Sequence, residues 1–260
     1  MFTVALIGAD GSGKSTLGKR LQESMSLPVK YVYMGVNIDA STLVLPTTRL
    51  ALELKRALGG RPDIAAGPPD ASQAKPRPTG LLRRSLGGIK SSLRLVNLVA
   101  EEWFRQGVVW YYQARGFLVL FDRHFVFDYC SRDLRSNEGW EPLSRRVHVA
   151  LLKRFYPRPT LVICLDAPAE VLHARKREGT LESLEQRRQG YLRARHLVKH
   201  FAVVDANQDL DAVTREAIDV IQHFHAHGTL NDRASSGSSS AATGVPNPGE
   251  FPSSQHGDQS

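Results

Sequence analysis

The fold is decided near the amino terminus, where the chain reads Thr3-Val4-Ala5-Leu6-Ile7-Gly8-Ala9-Asp10-Gly11-Ser12-Gly13-Lys14-Ser15-Thr16. An aliphatic run is followed by a turn that matches G-x-x-x-x-G-K-[ST] in full, and a helical pattern begins at the lysine. Glycines let backbone N–H groups surround a phosphate, the lysine reaches the β and γ oxygens, and the next hydroxyl ligates Mg²⁺. The motif therefore predicts that residues 8–16 bind the phosphates of ATP, with Ser15 as a ligand of Mg²⁺.

Elsewhere, short β-rich runs alternate with longer amphipathic ones, which is typical of stacked βαβ units. The predicted strands are Thr3–Ile7, Val29–Met34, Phe117–Phe121, Leu161–Leu165 and Phe201–Val204. The predicted helices are Lys14–Met25, Thr48–Leu58, Leu86–Ala114, Pro142–Phe155, Pro168–Arg177, Leu184–Lys199 and Leu210–His225. We expect an α/β P-loop NTPase fold, with a five-stranded parallel sheet, helices on both faces and a basic lid. Ligands should bind at the carboxyl edge of the strands.

Composition predicts one domain over residues 1–228, with an insertion rich in proline and glycine at 59–80. Residues 229–260 are dominated by Ser, Gly, Pro, Gln and Asn, which predicts a disordered tail. No apolar run approaches the ~20 residues of a membrane span. The first residues lack the basic segment of a signal peptide, so the cytoplasm is the expected location.

The net charge is +8, and it is unevenly distributed. From residue 229 onward one base accompanies three acids, so residues 1–228 hold a net charge of +10. Such an excess favours an anionic partner. Nucleic acid, a lipid head group and a phosphorylated small molecule all satisfy it, so charge alone does not choose.

A second polar stretch, Asp122-Arg123-His124, follows the apolar run Phe117–Phe121. At the carboxyl edge of a sheet, Asp122 is placed to join the Mg²⁺ shell and Arg123 to bind an anionic group. The alternative is an ordinary surface turn. His124 is better interpreted as a packed or capping residue.

A basic cluster follows the fourth predicted strand. Asp166 is predicted to cap the next helix, and Arg175 and Arg177 lie beyond it. Together with Arg187 and Arg188 they form a segment, residues 175–190, that we interpret as a lid whose cations close over the transferring phosphate. A solvated helix end is the alternative.

These motifs and their order resemble the thymidylate kinase family of P-loop nucleoside monophosphate kinases. The matching pieces are the loop at 8–16, Phe121-Asp122-Arg123-His124, Arg158–Leu161, Leu165–Val171, Gly190-Tyr191-Leu192 and Val204-Asp205-Ala206-Asn207. The resemblance covers most of residues 1–224. It implies that Asp10 contacts the acceptor sugar, that Arg123 binds the acceptor phosphate, and that Ala206, Asn207 and Gln208 border the adenine.

The chain departs from the family pattern near the acceptor base. The family's proline-arginine signature is loosely echoed by Pro46-Thr47-Thr48-Arg49, which makes Arg49 a candidate acceptor contact. Where the family places an aromatic residue and an arginine that read thymine, this chain has Leu98 and Glu102, with Trp103 and Arg105 nearby.

The function expected from these features is ATP- and Mg²⁺-dependent phosphorylation of a nucleoside monophosphate, dTMP to dTDP first. The predicted catalytic residues are Lys14, Asp122, Arg123, Arg175 and Arg177. A P-loop kinase of a sugar or other hydroxyl stays open, because Asp10 or Asp122 could accept the proton that such a reaction releases. A non-catalytic protein that binds nucleotides, or anionic surfaces through Lys75–Arg94, is the third reading. The expected partner is a phosphorylated nucleotide, with no specific nucleic acid; a homodimer is left open.

Overall fold

In the computed structural model, which describes residues 1–35, 43–57, 81–128 and 143–230, strands and helices alternate along the chain. The strands are β1 (Thr3–Ile7), β2 (Val29–Tyr33), β3 (Leu118–Asp122), β4 (Leu161–Asp166) and β5 (His200–Asp205). The helices are α1 (Lys14–Ser24), α2 (Pro46–Ala57), α3 (Leu81–Ala114), α4 (Leu143–Phe155), α5 (Ala169–Arg175), α6 (Leu181–Arg193) and α7 (Leu210–His227). A 3₁₀ turn, Ala194–Leu197, follows α6.

The five strands form one parallel sheet in the order β2-β3-β1-β4-β5. β1 lies at its centre, with Ala5 beside Phe121 of β3 and Val162 of β4. Because all strands are parallel, the carboxyl ends of β1, β3 and β4 meet at one edge, and β1 delivers the glycine-rich loop there. The predicted α/β fold with five parallel strands is confirmed.

Two apolar clusters cover the two faces of the sheet, and alternation along each strand assigns side chains to them. Val4 and Leu6 of β1 pack with α1 and α7 on one face. Ala5 and Ile7 pack on the other face with residues of α3 and α4. The middle of the sheet is therefore buried on both faces, which explains why β3 and β4 are continuous apolar runs.

Most element boundaries agree with the sequence prediction to within a few residues. The largest difference is at the predicted helix Leu184–Lys199, which begins earlier and ends at Arg193. Thr180 sets its start because its hydroxyl accepts a hydrogen bond from the Ser183 amide at 3.2 Å. α3 also begins at Leu81 rather than Leu86.

Several expectations fall outside the described residues. They are the insertion at 59–80, the tail from 231, and the side chains of most of the basic segment Lys75–Arg94. The boundary of the predicted tail moves, because Leu230 is partly buried against the core cluster that includes Phe224. In the described ranges, no helix is long and apolar enough to span a bilayer.

Candidate active site

The glycine-rich loop connects β1 to α1 and folds around the side chain of Lys14. Gly8 has φ +145, and a Cβ there would lie 2.5 Å from the carbonyl oxygen of Leu165, so only glycine lets the loop pass this close to β4. The Lys14 ammonium donates to the carbonyls of Gly8 at 3.0 Å and Ala9 at 2.8 Å, and to the Ser12 hydroxyl at 3.2 Å. Burial, reinforced by Arg123, lowers the pKa of Lys14 to about 8. A buried cation thus lies inside the predicted phosphate loop.

A carboxylate and a hydroxyl meet at the start of α1. Ser15 Oγ donates to Asp122 Oδ2 at 2.5 Å, and the Tyr31 hydroxyl donates to the same oxygen at 2.5 Å. Asp122 Oδ1 is buried and has no hydrogen-bond partner among the described residues. Buried polar atoms are normally satisfied, so an unpaired carboxylate oxygen beside a hydroxyl fits a hard cation such as Mg²⁺.

The cation site would be completed by substrate rather than by protein. In the described part of the chain, no group of three or more His, Cys, Asp or Glu side chains is arranged to hold a metal ion. Mg²⁺ is usually bound by one or two carboxylates together with waters and phosphates, so Ser15 and Asp122 fit the part that a protein would supply. Both residues were predicted as ligands; Tyr31, which orients Asp122, was not.

Two arginines converge on Asp10 at the mouth of the loop. Arg123 Nη2 donates to Asp10 Oδ1 at 2.5 Å, and Arg187 Nη1 donates to Asp10 Oδ2. Burial would raise the pKa of Asp10, but Arg123, Lys14 and Arg187 outweigh it and lower that pKa to about 2. The backbone of Arg123 has φ 65, a conformation that residues other than glycine rarely adopt. The strained backbone directs a guanidinium toward the loop, where an anionic ligand would meet it.

A second carboxylate, Asp128, acts on Arg123 through its charge. Asp128 is buried and accepts a hydrogen bond from the Tyr191 hydroxyl at 3.1 Å. Burial would lower the pKa of Arg123, but Asp128 and Asp10 outweigh it and raise that pKa. Arg123 is therefore charged throughout the physiological range. Tyr191 appeared in the sequence analysis only as part of a motif.

The lid segment reaches the site through α6 rather than α5. Arg187 contacts Asp10, whereas Arg175 donates to the carbonyl of Ala206 at 2.7 Å. Arg177, which was predicted to be catalytic, is exposed. The helical phase of α6, unknown from the sequence, puts Arg187 on its inner face. Of the cations in the predicted lid named here, Arg187 is the one that contacts Asp10 of the loop.

Arg188 fixes the position of α6 on the sheet. It forms a bidentate pair with Asp166, with Nε–Oδ1 2.6 Å and Nη2–Oδ2 2.8 Å. The expectation that Asp166 caps the following helix is wrong, because Pro168 is the N-cap of α5 and makes no side-chain cap. The Asp166 carboxylate is engaged by a residue from the lid instead.

The remaining predicted residues lie at the margins of the site. Ala206 is buried and its amide donates to the Asp166 carbonyl at 2.7 Å, while Asn207 and Gln208 are exposed beside it. Arg49 is exposed on the first turn of α2. The adenine and acceptor roles of these residues stay predictions.

The chain is similar to known proteins in sequence over part of its length and in fold over most of it. No family model matches the chain. A curated relative, probable thymidylate kinase 1 of Saccharolobus solfataricus, is 31% identical in an alignment of 114 residues, and the match covers 40% of this chain. Over these residues the chain is similar to a thymidylate kinase. It spans about half of that relative, 54% of its length.

The solved structures extend the likeness of fold to most of the chain. Thymidylate kinase from Candida albicans, described as having broad substrate specificity and a novel structural element, superimposes with a TM-score of 0.54. The match covers 89% of this chain and 95% of that one, at 17% identity. Such a low identity supports the fold and leaves the site to be argued from this chain's own residues.

The chain differs from the thymidylate kinase pattern at Glu102, where the resemblance implies an arginine. Both carboxylate oxygens of Glu102 lie 2.9 Å from Nε2 of His148, and Glu102 is 1% exposed. Burial raises the pKa of Glu102, although His148 opposes the shift. The Glu102 carboxylate is therefore paired inside the protein, between α3 and α4.

Arg105 does not supply the missing guanidinium. It is 1% exposed and donates to the carbonyls of Gly35 at 3.0 Å and Leu43 at 3.1 Å, and to Glu101 at 3.3 Å. Glu101 in turn accepts from the Leu45 amide at 3.0 Å. These bonds tie α3 to the chain on either side of residues 36–42, so Arg105 holds the backbone in place.

His124 is packed, as the sequence indicated. Its ring contacts those of Phe121, Phe127 and Tyr156, with centroids 5.4 to 5.8 Å apart. Both ring nitrogens are buried without a hydrogen-bond partner among the described residues. Burial lowers the pKa of His124 to about 3, so the imidazole is neutral in the folded protein.

His124→Phe is expected to increase resistance to acid. An unfolded histidine titrates near 6.5, so below that pH the unfolded chain binds a proton that the folded chain refuses down to about pH 3. Each pH unit in that window removes about 1.4 kcal/mol of stability, or about 2 kcal/mol at pH 5. Urea unfolding of the wild type and His124→Phe at pH 7.5 and pH 5 measures the free energy of unfolding. A stability difference between wild type and variant that is the same at both pH values would contradict this account.

Proposed function

We propose that this protein transfers the γ-phosphoryl group of ATP to the phosphate of a nucleoside monophosphate, with dTMP as the first candidate. One observation carries the proposal: Arg123 and Arg187 converge on Asp10 beside the buried Lys14. Three cations at the mouth of a phosphate loop suit two phosphate groups that repel each other. The thymidylate kinase likeness in sequence and fold supports the choice of acceptor class.

The reaction needs no general base if the acceptor is a phosphate. An acceptor phosphate oxygen forms a bond to the γ-phosphorus, the bond to the β–γ bridging oxygen breaks, and its electron pair stays on ADP. Arg123 neutralises the acceptor dianion so that it can approach ATP, and its fork geometry suits two phosphate oxygens. Arg187 would stabilise negative charge on the transferring group as α6 moves with the lid.

The donor phosphates would be held by the loop itself. Lys14 leaves the Gly8 and Ala9 carbonyls to reach the β and γ oxygens, and the amides at the start of α1 face the same anion. Mg²⁺, bound by Ser15 and Asp122, would neutralise charge on the β and γ phosphates. Tyr31 keeps Asp122 oriented for that role, since its hydroxyl donates to Oδ2 and leaves Oδ1 for the ion.

A kinase of an uncharged hydroxyl is less well supported. Such an enzyme needs a carboxylate that accepts a proton. Burial would raise the pKa of Asp10, but the charges of Arg123, Lys14 and Arg187 outweigh burial and lower that pKa to about 2. Such an acidic carboxylate is a poor base. One carboxylate oxygen of Asp122, Oδ2, already accepts hydrogen bonds from Ser15 and Tyr31.

The deciding experiment measures product formation from Mg·ATP with dTMP, other nucleoside monophosphates, and unphosphorylated nucleosides and sugars. We expect turnover with a monophosphate and none with the unphosphorylated acceptors. The Candida relative is described as having broad substrate specificity, so the panel should include purine and pyrimidine monophosphates. Turnover confined to unphosphorylated acceptors would overturn the proposal.

Arg187→Ala is expected to lower kcat about tenfold or more, since it removes a cation that acts on the transferring charge. Arg193→Ala is the matched control, because it lies on the same helix and is exposed. Steady-state kinetics with the best acceptor measures both. Equal rates for the two variants would show that Arg187 serves only the resting contact with Asp10.

A further inference from the structure

α7 ends in three alternate histidines, His223, His225 and His227, far from the loop at residues 8–16. His223 and His227 are one turn apart, and their rings stack with centroids 4.3 Å apart and planes at 23°. Side chains at i and i+4 share a helix face, whereas His225 points elsewhere and stacks on Phe2.

The hydrogen bonds of the pair determine which nitrogen of each ring is free. His223 Nδ1 lies 3.1 Å from the carbonyl oxygen of Thr229, and His227 Nδ1 lies 3.1 Å from that of His223. A carbonyl can only accept, so each Nδ1 carries the hydrogen, and each neutral ring has its lone pair on Nε2. This is the arrangement in which protein histidines bind metals, with the second ring nitrogen held by a backbone carbonyl.

The local fold builds this arrangement. Gly228 adopts φ +68 and ends α7, which turns the chain so that the Thr229 carbonyl returns to the ring of His223. The carboxyl end of a helix carries partial negative charge, which favours a cation there. Asp219, exposed one turn before His223, adds negative charge on the same face.

The pair lies at the opposite edge of the sheet from the candidate active site. Phe224, between the two histidines, packs on Phe2 before β1 and on His200 at the start of β5. These are the amino-terminal ends of the strands, whereas Asp10, Asp122 and Asp166 follow or occupy their carboxyl ends. A ligand at the histidines would therefore leave the phosphate loop untouched.

We propose that His223 and His227 form a bidentate site for a first-row divalent transition-metal ion such as Cu²⁺, Ni²⁺ or Zn²⁺. Two imidazole nitrogens suit these ions and not Mg²⁺, which prefers oxygen. Among the described residues no cluster of three or more ligating side chains exists, so water completes the coordination sphere. Affinity should fall in the order Cu²⁺, Ni²⁺, Zn²⁺.

The test is titration of the full, untagged chain with Cu²⁺ and Ni²⁺ in excess Mg²⁺, followed by calorimetry and, for Cu²⁺, electron paramagnetic resonance. We expect one strong site with two nitrogen ligands. His223→Gln and His227→Gln should each lower the affinity about tenfold or more, because either change ends chelation. The double variant should be little worse than either single one.

His225→Gln is the matched control, since it removes a neighbouring histidine on another face of the same helix. It should leave the affinity and the copper spectrum unchanged. Circular dichroism would verify that each variant is folded. Equal binding by wild type, His223→Gln and His227→Gln, or a loss of the same size in His225→Gln, would overturn the proposal.

Discussion

Lys14→Ala is expected to reduce phosphoryl transfer by at least about a thousandfold, which corresponds to about 4 kcal/mol of transition-state stabilisation. Lys14 is the buried cation of the phosphate loop, and its ammonium already contacts the loop through Gly8, Ala9 and Ser12. Alanine has no cation to stabilise the negative charge that develops between the β and γ phosphates. The loop backbone should persist, because close packing of Gly8 against Leu165 is independent of the lysine side chain.

The measurement combines turnover with nucleotide-dependent thermal stabilisation. A ligand at 100 times its Kd stabilises by about 2.7 kcal/mol, and this gain should shrink in Lys14→Ala. Lys19→Ala, on the exposed side of the same helix, is the matched control and should retain both properties. A folded Lys14→Ala protein with wild-type turnover would exclude the kinase assignment altogether.

Arg123→Ala should lower kcat/KM with a monophosphate acceptor about a hundredfold or more, equivalent to about 3 kcal/mol. Arg123 is charged, partly buried and bonded to Asp10 from a strained backbone, and the charge of Asp128 helps keep it protonated. Without it, the acceptor dianion meets ATP with too little positive charge between them. Arg123→Lys should recover only part of the loss, since an ammonium cannot bind two oxygens in fork geometry.

Arg20→Ala provides the control, because Arg20 makes an exposed ion pair with Asp211 and such pairs contribute little. The comparison also separates the acceptor classes. If Arg123→Ala is nearly as fast as wild type while Asp10→Asn is crippled, the acceptor is an uncharged hydroxyl and Asp10 is the base. We expect the reverse, because Asp10 is too acidic at pKa about 2 to accept a proton efficiently.

The sequence by itself determined the features that depend on neighbouring residues. The loop at 8–16 is one continuous segment whose glycines, lysine and hydroxyl act within nine positions, so its motif could be read directly. Apolar runs located inner strands such as β3 and β4, because a strand buried on both faces needs an unbroken apolar segment, whereas a β-rich run with one lysine located β2 at the edge of the sheet. Asp122 and Arg123 were identified because they directly follow such a run.

Only the tertiary structure decided which polar side chains meet. Arg187 reaches Asp10 across 177 positions, and Tyr31 reaches Asp122 across 91. The strand order places β2 beside β3, and this pairing brings Tyr31 of β2 to Asp122 of β3. Neither contact has a local signal, since a lid arginine looks the same in sequence whether its helix turns it inward or outward.

Arg175 and Arg177 were predicted to be catalytic, yet Arg187 is the arginine of this segment that contacts Asp10. Likewise, Asp166 was predicted to cap a helix, yet it pairs with Arg188. Local pattern limits the conformation of a residue and its immediate neighbours, through backbone sterics and the period of helices and strands. Long-range partners depend on how the chain closes on itself and on the rotation of each helix about its axis. Those are set by burial of two apolar clusters at once, which is a property of the packed molecule and not of any segment.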